Sequence, residues 1–204
     1  SVNLLHRTPA IAVGKFEYVA KYGGADAEVS SKGVSVEVEA TTAGSRLAAV
    51  VEIADMGSFS IMLKAEQSPG NVTNFATLIK RGFYNDSQIH RIVKSSWIHM
   101  GCPYGLGIGG PGHAVKAELD KEVKHVKGTV SMSGYEKSGN YTGSQFFICL
   151  SNLSGLDGKF TPVGAVEAAD MDKVVDPVSK KPVDRNTESP TPAIRIKSVT
   201  LQVK

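Results

Sequence analysis

Thr142-Gly143-Ser144-Gln145-Phe146-Phe147-Ile148-Cys149-Leu150 is the stretch on which the fold turns. Small polar residues lead into an apolar run with two aromatics and a β-branched residue, bounded by Ser151-Asn152, which is strand composition. Successive strand side chains point to opposite faces, so Gln145 and Phe147 share one face and Phe146 and Ile148 the other. One face can pack a core while the other presents an amide and a ring to a groove. On pattern alone, a buried strand with Gln145 satisfied by a neighbour is the simpler reading.

The flanking segments carry the same β signals. Ala48 to Ile53 and Ser58 to Leu63 read as a hairpin around the turn Asp55-Met56-Gly57. Ser68-Pro69-Gly70-Asn71 opens a helix whose apolar Val72, Phe75, Leu78 and Ile79 recur at helical spacing and which Gly82 stops. Gln88 to Val93 is expected as one strand, with Ile89, Arg91 and Val93 on one face and His90 and Ile92 on the other. An arginine among apolar neighbours implies that its face meets a partner or a groove. Trp97 to Gly101 is a further strand, holding the only tryptophan. Gly105 to Gly112 carries five glycines in eight positions and is close to a dinucleotide fingerprint. No βαβ unit surrounds it and Pro111 follows in place of a helix, so a tightly turned surface loop is the better reading. Lys116 to Lys127 alternates acidic and basic residues, as a solvated stretch does. Gly128 to Ser133 is a strand, Gly134 to Tyr141 a polar loop, Leu156 to Lys159 a turn and Phe160 to Val166 a strand. Met171 to Val175 makes one or two helical turns ended by Pro177, and Pro182, Pro190 and Pro192 mark a long irregular loop. Ala193 to Leu201 alternates as a final strand. About eight strands at short spacing with two helices argue for a mainly β fold, a closed antiparallel barrel capped by helices.

The 204 residues allow one large domain, or one domain and an appendage, with 41% hydrophobic and 21% charged residues as in a soluble globular chain. Residues 1–46 are loop-rich around short strand-like pieces at Ala10 to Ala20 and Gly33 to Ala40, and form an extension to the body at 47–204. The extension is an edge hairpin or a docking segment for a protein partner. A net charge of +3 without a run of like charges gives no sign of nucleic-acid binding. No apolar run approaches membrane-spanning length. Cys102 and Cys149 make no disulfide framework, so an intracellular reducing compartment is expected, the cytoplasm first and an organelle after presequence cleavage second. No metal or cofactor set is visible: His99 has only Cys102 nearby, and His6, His113 and His125 have no evident partners and default to exposed positions. The Asn-x-Ser/Thr triplets at Asn71, Asn85, Asn140 and Asn152 read as chance matches.

Phe83-Tyr84, Ile89-His90-Arg91-Ile92-Val93, Gly128-Thr129-Val130-Ser131-Met132, Gly143 to Ile148 and Leu156-Asp157-Gly158-Lys159 together resemble the cyclophilins, peptidyl-prolyl cis-trans isomerases, in the family's order and near its spacings. The resemblance covers residues 47–204. It implies an eight-stranded barrel with two capping helices and no cofactor or metal. It also implies proline-containing polypeptide clients, with Arg91 as catalytic donor and Gln145 anchoring substrate and arginine. Phe147 would floor the proline pocket, Ser133 and Gly134 would bind substrate backbone, and Trp97, His99, Leu156 and Phe160 would line the groove.

The departures from the family pattern all lie in that groove. Lys94-Ser95-Ser96 stands for Pro-Gly-Phe, which removes the pocket phenylalanine. Trp97 stands where Met is common and His99 for a glutamine. Gly155 stands for the tryptophan that marks strong cyclosporin binding, so weak cyclosporin binding is expected, and Phe160 stands for a histidine. Trp97 or Phe160 can fill part of the missing ring's space, and His99 can keep a polar contact to Arg91. Two functions are open. One is an isomerase that assists folding, with a remodelled pocket and reduced activity. The other is a weakly active or inactive cyclophilin-like interaction subunit of a larger assembly.

Overall fold

The computed structural model describes residues 46–134 and 141–204, with four short strand segments between residues 15 and 37. The chain divides into two units, Ser1–Ser45 and Arg46–Lys204. In the first, β1 (Lys15–Phe16) pairs antiparallel with β4 (Val36–Glu37), and β2 (Lys21–Gly24) with β3 (Ala27–Ser30). The rest of the strand pieces expected in the extension, His6, Asn140 and the interior of the loop before Tyr141 lie outside the described residues.

The second unit is built on β5 (Leu47–Ile53), β6 (Gly57–Leu63), β7 (Gln88–Ile89), β8 (Arg91–Val93), β9 (Trp97–Met100), β10 (Val115–Lys116), β11 (Thr129–Gly134), β12 (Tyr141–Cys149), β13 (Thr161–Val166) and β14 (Ile194–Val203). They form one antiparallel sheet in the order β7-β14-β5-β6-β13-β11-β12-β9-β8, with β10 added on β12. The two ends of that order, β7 and β8, are separated in the chain by His90 alone, so the sheet comes round on itself as a mainly β barrel. Ten strands stand where eight were expected, for two local reasons. The segment 88–93 breaks at His90 because Ile89 pairs with Ile194 of β14 while Arg91 pairs with His99 of β9. The two-residue β10 is the other addition.

The break also corrects the expected faces of that segment. Ile89 and Ile92 are both buried, three residues apart, while Arg91 is exposed and His90 is 6% exposed. A strict period of two does not survive a change of partner strand.

Helix α1 (Pro69–Lys80) buries Val72, Phe75, Leu78 and Ile79 as its spacing predicts, and caps one end of the barrel. The Phe75 ring stands 5.0 Å from Phe146 and 5.4 Å from Tyr84, on the inward face of β12. The Ser68 hydroxyl does not cap this helix; it donates to the Pro162 carbonyl. The Glu118 carboxylate accepts the free N–H groups of Gly70 (3.2 Å) and Asn71 (2.9 Å) at the positive end of the helix dipole.

The second helical segment is longer than expected. It runs from Ala168 to Ser179 through a π-helical turn at Met171–Val175, and Pro177 does not end it. Pro177 sits in the first turn of the last α-helical piece, a place where proline is tolerated. Met171, Val174, Val175 and Val178 complete the core. No helix among the described residues is long and apolar enough to cross a membrane.

Candidate active site

The strand pairings place one residue from each of five neighbouring strands in a continuous row: Arg91 (β8), His99 (β9), Phe147 (β12), Ser131 (β11) and Pro162 (β13). Paired residues share a face, and this one is the outer face of the barrel. At about 4.8 Å per strand, Arg91 and Phe147 stand about 10 Å apart, with His99 between them. A proline ring and its flanking amide fit that span.

The lead-in to β12 is held from inside. Asn74 Nδ2 donates to the Gly143 carbonyl at 2.9 Å, Tyr84 Oη to the Ser144 carbonyl at 3.0 Å, and the Ser144 hydroxyl to Gly101 at 2.8 Å. Those bonds fix the backbone on either side of Gln145. Its Nε2 donates to the carbonyls of Gly107 (3.1 Å) and Gly109 (3.0 Å). Both glycines are left-handed, at φ +74° and +96°, a conformation that costs a residue without Cβ nothing and points the loop carbonyls at the amide. Gln145, His99, Ser133, Gly134, Gly143 and the loop residues Gly107, Ile108 and Gly109 line a cleft of about 440 Å³. The five-glycine stretch is thus one wall of the groove.

Phe147 is 5% exposed and belongs to an aromatic cluster. Phe160 meets it edge-on at 5.1 Å, Trp97 lies 6.3 Å away, and the His125 ring stacks behind it at 6.3 Å. Leu156 is half-buried at the start of the turn that delivers Phe160. Gly155 is exposed, and a Cβ added there meets nothing within 4 Å, so this wall is open.

Two histidines expected to be exposed are not. His125 is 1% exposed because it has two partners: Asp157 Oδ1 faces its Nδ1 at 3.2 Å and Ser131 Oγ its Nε2 at 3.0 Å. His113 is half-buried, with Nε2 at 2.8 Å from Asn74 Oδ1. The stretch 116–127 is accordingly solvated only in part, since Glu118 and His125 turn inward.

Arg91 and His99 are neighbours in the row, but no hydrogen bond joins them. His99 Nε2 is buried without a partner, and its ring lies 4.5 Å from that of His90, whose two nitrogens are also unpartnered. Burial pushes His99 down to about 3, helped by His90 and the Arg91 charge, and burial with Arg91 pushes His90 down to about 4. Both imidazoles are neutral at pH 7, so neither repels Arg91. The guanidinium is engaged on its other side by Glu188, at 2.7 Å from Nε and 2.6 Å from Nη2.

Of the groove residues expected from the sequence, the structure brings Gln145, His99, Ser133 and Gly134 onto one cleft and Phe147, Trp97 and Phe160 into one cluster. The sequence reading missed Glu188, the partners of His125 and the role of Gly107 and Gly109. Of these only the glycines carried a local signal. Among the described residues no three His, Cys, Asp or Glu side chains converge as a metal set.

Residues 48–201 match the family model of the cyclophilin type peptidyl-prolyl cis-trans isomerase. A peptidyl-prolyl cis-trans isomerase of Helicobacter pylori is 40% identical over 126 residues, covering 61% of this chain and 76% of that one. A peptidyl-prolyl cis-trans isomerase-like 2 protein of Aspergillus fumigatus is 36% identical over 154 residues, 72% of this chain but 26% of its own length. Among solved structures, a Cryptosporidium parvum cyclophilin type isomerase crystallised in the presence of the dipeptide Ala-Pro superposes with a TM-score of 0.71 at 28% identity, covering 76% of this chain and 98% of that one.

Proposed function

The chain belongs to the cyclophilin-type peptidyl-prolyl cis-trans isomerases, an enzyme family, and from that membership we propose that its outer groove isomerises X-Pro bonds of polypeptide clients and so assists their folding. The observation that carries this is the row Arg91, His99, Phe147: a cation and an apolar floor about 10 Å apart on a rigid sheet. Rotation about an X-Pro bond crosses a barrier of about 18–20 kcal/mol, chiefly lost amide resonance, and takes tens of seconds or more unaided. As the bond twists, the prolyl nitrogen gains a lone pair. Arg91 would donate an N–H to it, a contact stronger in the transition state than in the ground state. Phe147, with Phe160 and Trp97 beside it, would hold the proline ring, and Gln145, Ser133 and Gly134 the backbone preceding it.

The pocket is remodelled. Ser96 offers no ring, and a fully buried ring contributes about 1.5–3 kcal/mol, so activity one to two decades below that of a pocket with the phenylalanine is expected. A protease-coupled assay on a proline tetrapeptide tests the reading. The Arg91→Ala variant should lose at least tenfold in kcat/KM, and a wild-type rate equal both to that of the variant and to the uncatalysed rate would end the enzymatic interpretation.

The open wall at Gly155 favours a second reading, an interaction subunit that grips proline-containing partners without turning them over. Residues 1–46 would add a docking segment for a protein partner. Binding of a proline peptide at normal affinity without turnover is its signature.

A further inference from the structure

Arg91 is an exposed, four-torsion side chain, and a donor of that kind is of use in catalysis only if it is held still. In this chain neither groove residue expected to hold it does so. Gln145 Nε2 donates to the carbonyls of Gly107 and Gly109 and no hydrogen bond joins the Gln145 side chain to Arg91, while His99 Nε2 bonds nothing. Glu188 is the only side chain among the described residues that pairs with Arg91, its Oε2 taking both Nε and Nη2.

The loop that carries Glu188 is fastened to the backbone on both sides of Arg91. The Ile92 N–H donates to the Glu188 carbonyl at 2.8 Å, and the Ser189 hydroxyl donates to the His90 carbonyl at 2.9 Å. Within the loop, Asp184 Oδ1 accepts the N–H groups of Asn186 and Thr187, each at 2.9 Å, and the Asp184 carbonyl accepts the Glu188 N–H at 2.9 Å. Glu188 itself is left-handed at φ +58°, a conformation that a non-glycine residue keeps only where its surroundings impose it. Two backbone anchors and an imposed dihedral together aim the carboxylate at the guanidinium.

We propose that Glu188 is a positioning residue for Arg91, an inference that rests on the isomerase reading above. It clamps the Nε and Nη2 edge of the guanidinium and leaves the Nη1 amino group to meet the prolyl nitrogen. The rate thereby depends on a loop residue 97 positions away in the chain.

The test is steady-state kinetics on the full chain with a proline tetrapeptide, comparing wild type, Glu188→Ala, Glu188→Asp, Arg91→Ala and the double Arg91→Ala/Glu188→Ala variant. Glu188→Ala should lower kcat about tenfold with KM changed less than twofold, and Glu188→Asp should recover most of that loss. In the Arg91→Ala background, removing Glu188 should change nothing further. The Arg91 Nε–H signal in a ¹⁵N-correlated NMR spectrum gives a readout independent of turnover: sharp and dispersed in the wild type, averaged to the solvent-exposed position in Glu188→Ala. A wild-type kcat in Glu188→Ala, an equal loss in both backgrounds, or an Arg91 signal indifferent to Glu188 would overturn the proposal. Wild-type activity in Arg91→Ala would instead remove the catalytic role of Arg91, while the NMR comparison would still judge the clamp.

Discussion

Lowering the pH from 7.5 to 4.5 should destabilise the barrel well before its carboxylates protonate, because His90 and His99 are buried as neutral imidazoles. Their rings lie 4.5 Å apart beside Arg91, with three ring nitrogens unpartnered. His90 is held down at about 4 and His99 at about 3, both chiefly by burial. An unfolded histidine protonates near 6.5, so between 6.5 and about 4 the unfolded chain binds protons that the folded chain refuses. Stability is therefore full above pH 6.5 and falls as the pH drops through it. The slope is about 1.36 kcal/mol per pH unit per imidazole. Two units give about 2.7 kcal/mol each; because the two sites repel one another and His99 retains some solvent access, a joint loss of about 3 kcal/mol at pH 4.5 is expected. That is a large share of a typical stability of about 5–15 kcal/mol. His113, lowered by burial, adds in the same direction, while Asp157 and Asp184, lowered by backbone N–H bonds, act only at still lower pH. Urea unfolding followed by tryptophan fluorescence at half-unit pH steps measures the slope. The variants His90→Phe and His99→Gln should each flatten it, and His90→Phe should cost little at pH 7.5 because it removes two orphaned nitrogens. A midpoint independent of pH between 7 and 5, or a slope that survives both substitutions, would refute the reasoning.

Cyclosporin should bind weakly, and Gly155→Trp should tighten it at least tenfold in calorimetry with little change in stability, since a side chain at that exposed position meets no neighbour within 4 Å of its Cβ; nanomolar affinity in the unmodified chain would contradict this. Glu118→Ala should lower stability by about 1–2 kcal/mol in urea unfolding, the usual cost of losing an N-terminal cap, because Gly70 and Asn71 lose their shared acceptor and the Asn71 amide loses one of its two; an unchanged midpoint would show that water replaces the carboxylate.

What was legible in the chain was whatever local periodicity and turn chemistry dictate. The hairpin at 47–63, helix α1 and the alternation along β12 all obey short-range rules, and in each the structure has the elements where the pattern put them. The break at His90 was hidden because its cause is remote: β7 belongs to β14, more than a hundred residues on, and β8 to β9. Pro177 misled because a π-turn before it restarts the helix, which puts proline at a beginning instead of an end. His125 misled because its neighbours are charged, whereas its burial is decided by Asp157, 32 residues away.

The site divides along the same line. Along β12 the period of two follows from the backbone alone and sets Gln145 and Phe147 opposite Phe146 and Ile148, whereas the face of Arg91 was misjudged because the segment changes partner at His90. The side-chain partners of these residues were not foreseen, because a partner is a property of what else arrives in space. Gln145 was expected to steady Arg91 and its Nε2 instead secures the glycine loop, and His99, expected to keep a polar contact to Arg91, makes no hydrogen bond to it. The one side chain among the described residues that pairs with the guanidinium, Glu188, comes from a proline-rich loop with no periodic signal of its own. On the proposal made above, Glu188 does the holding that His99 leaves undone. Replacing His99 by glutamine should consequently make activity less dependent on Glu188, because an amide on β9 can reach the guanidinium from the groove side.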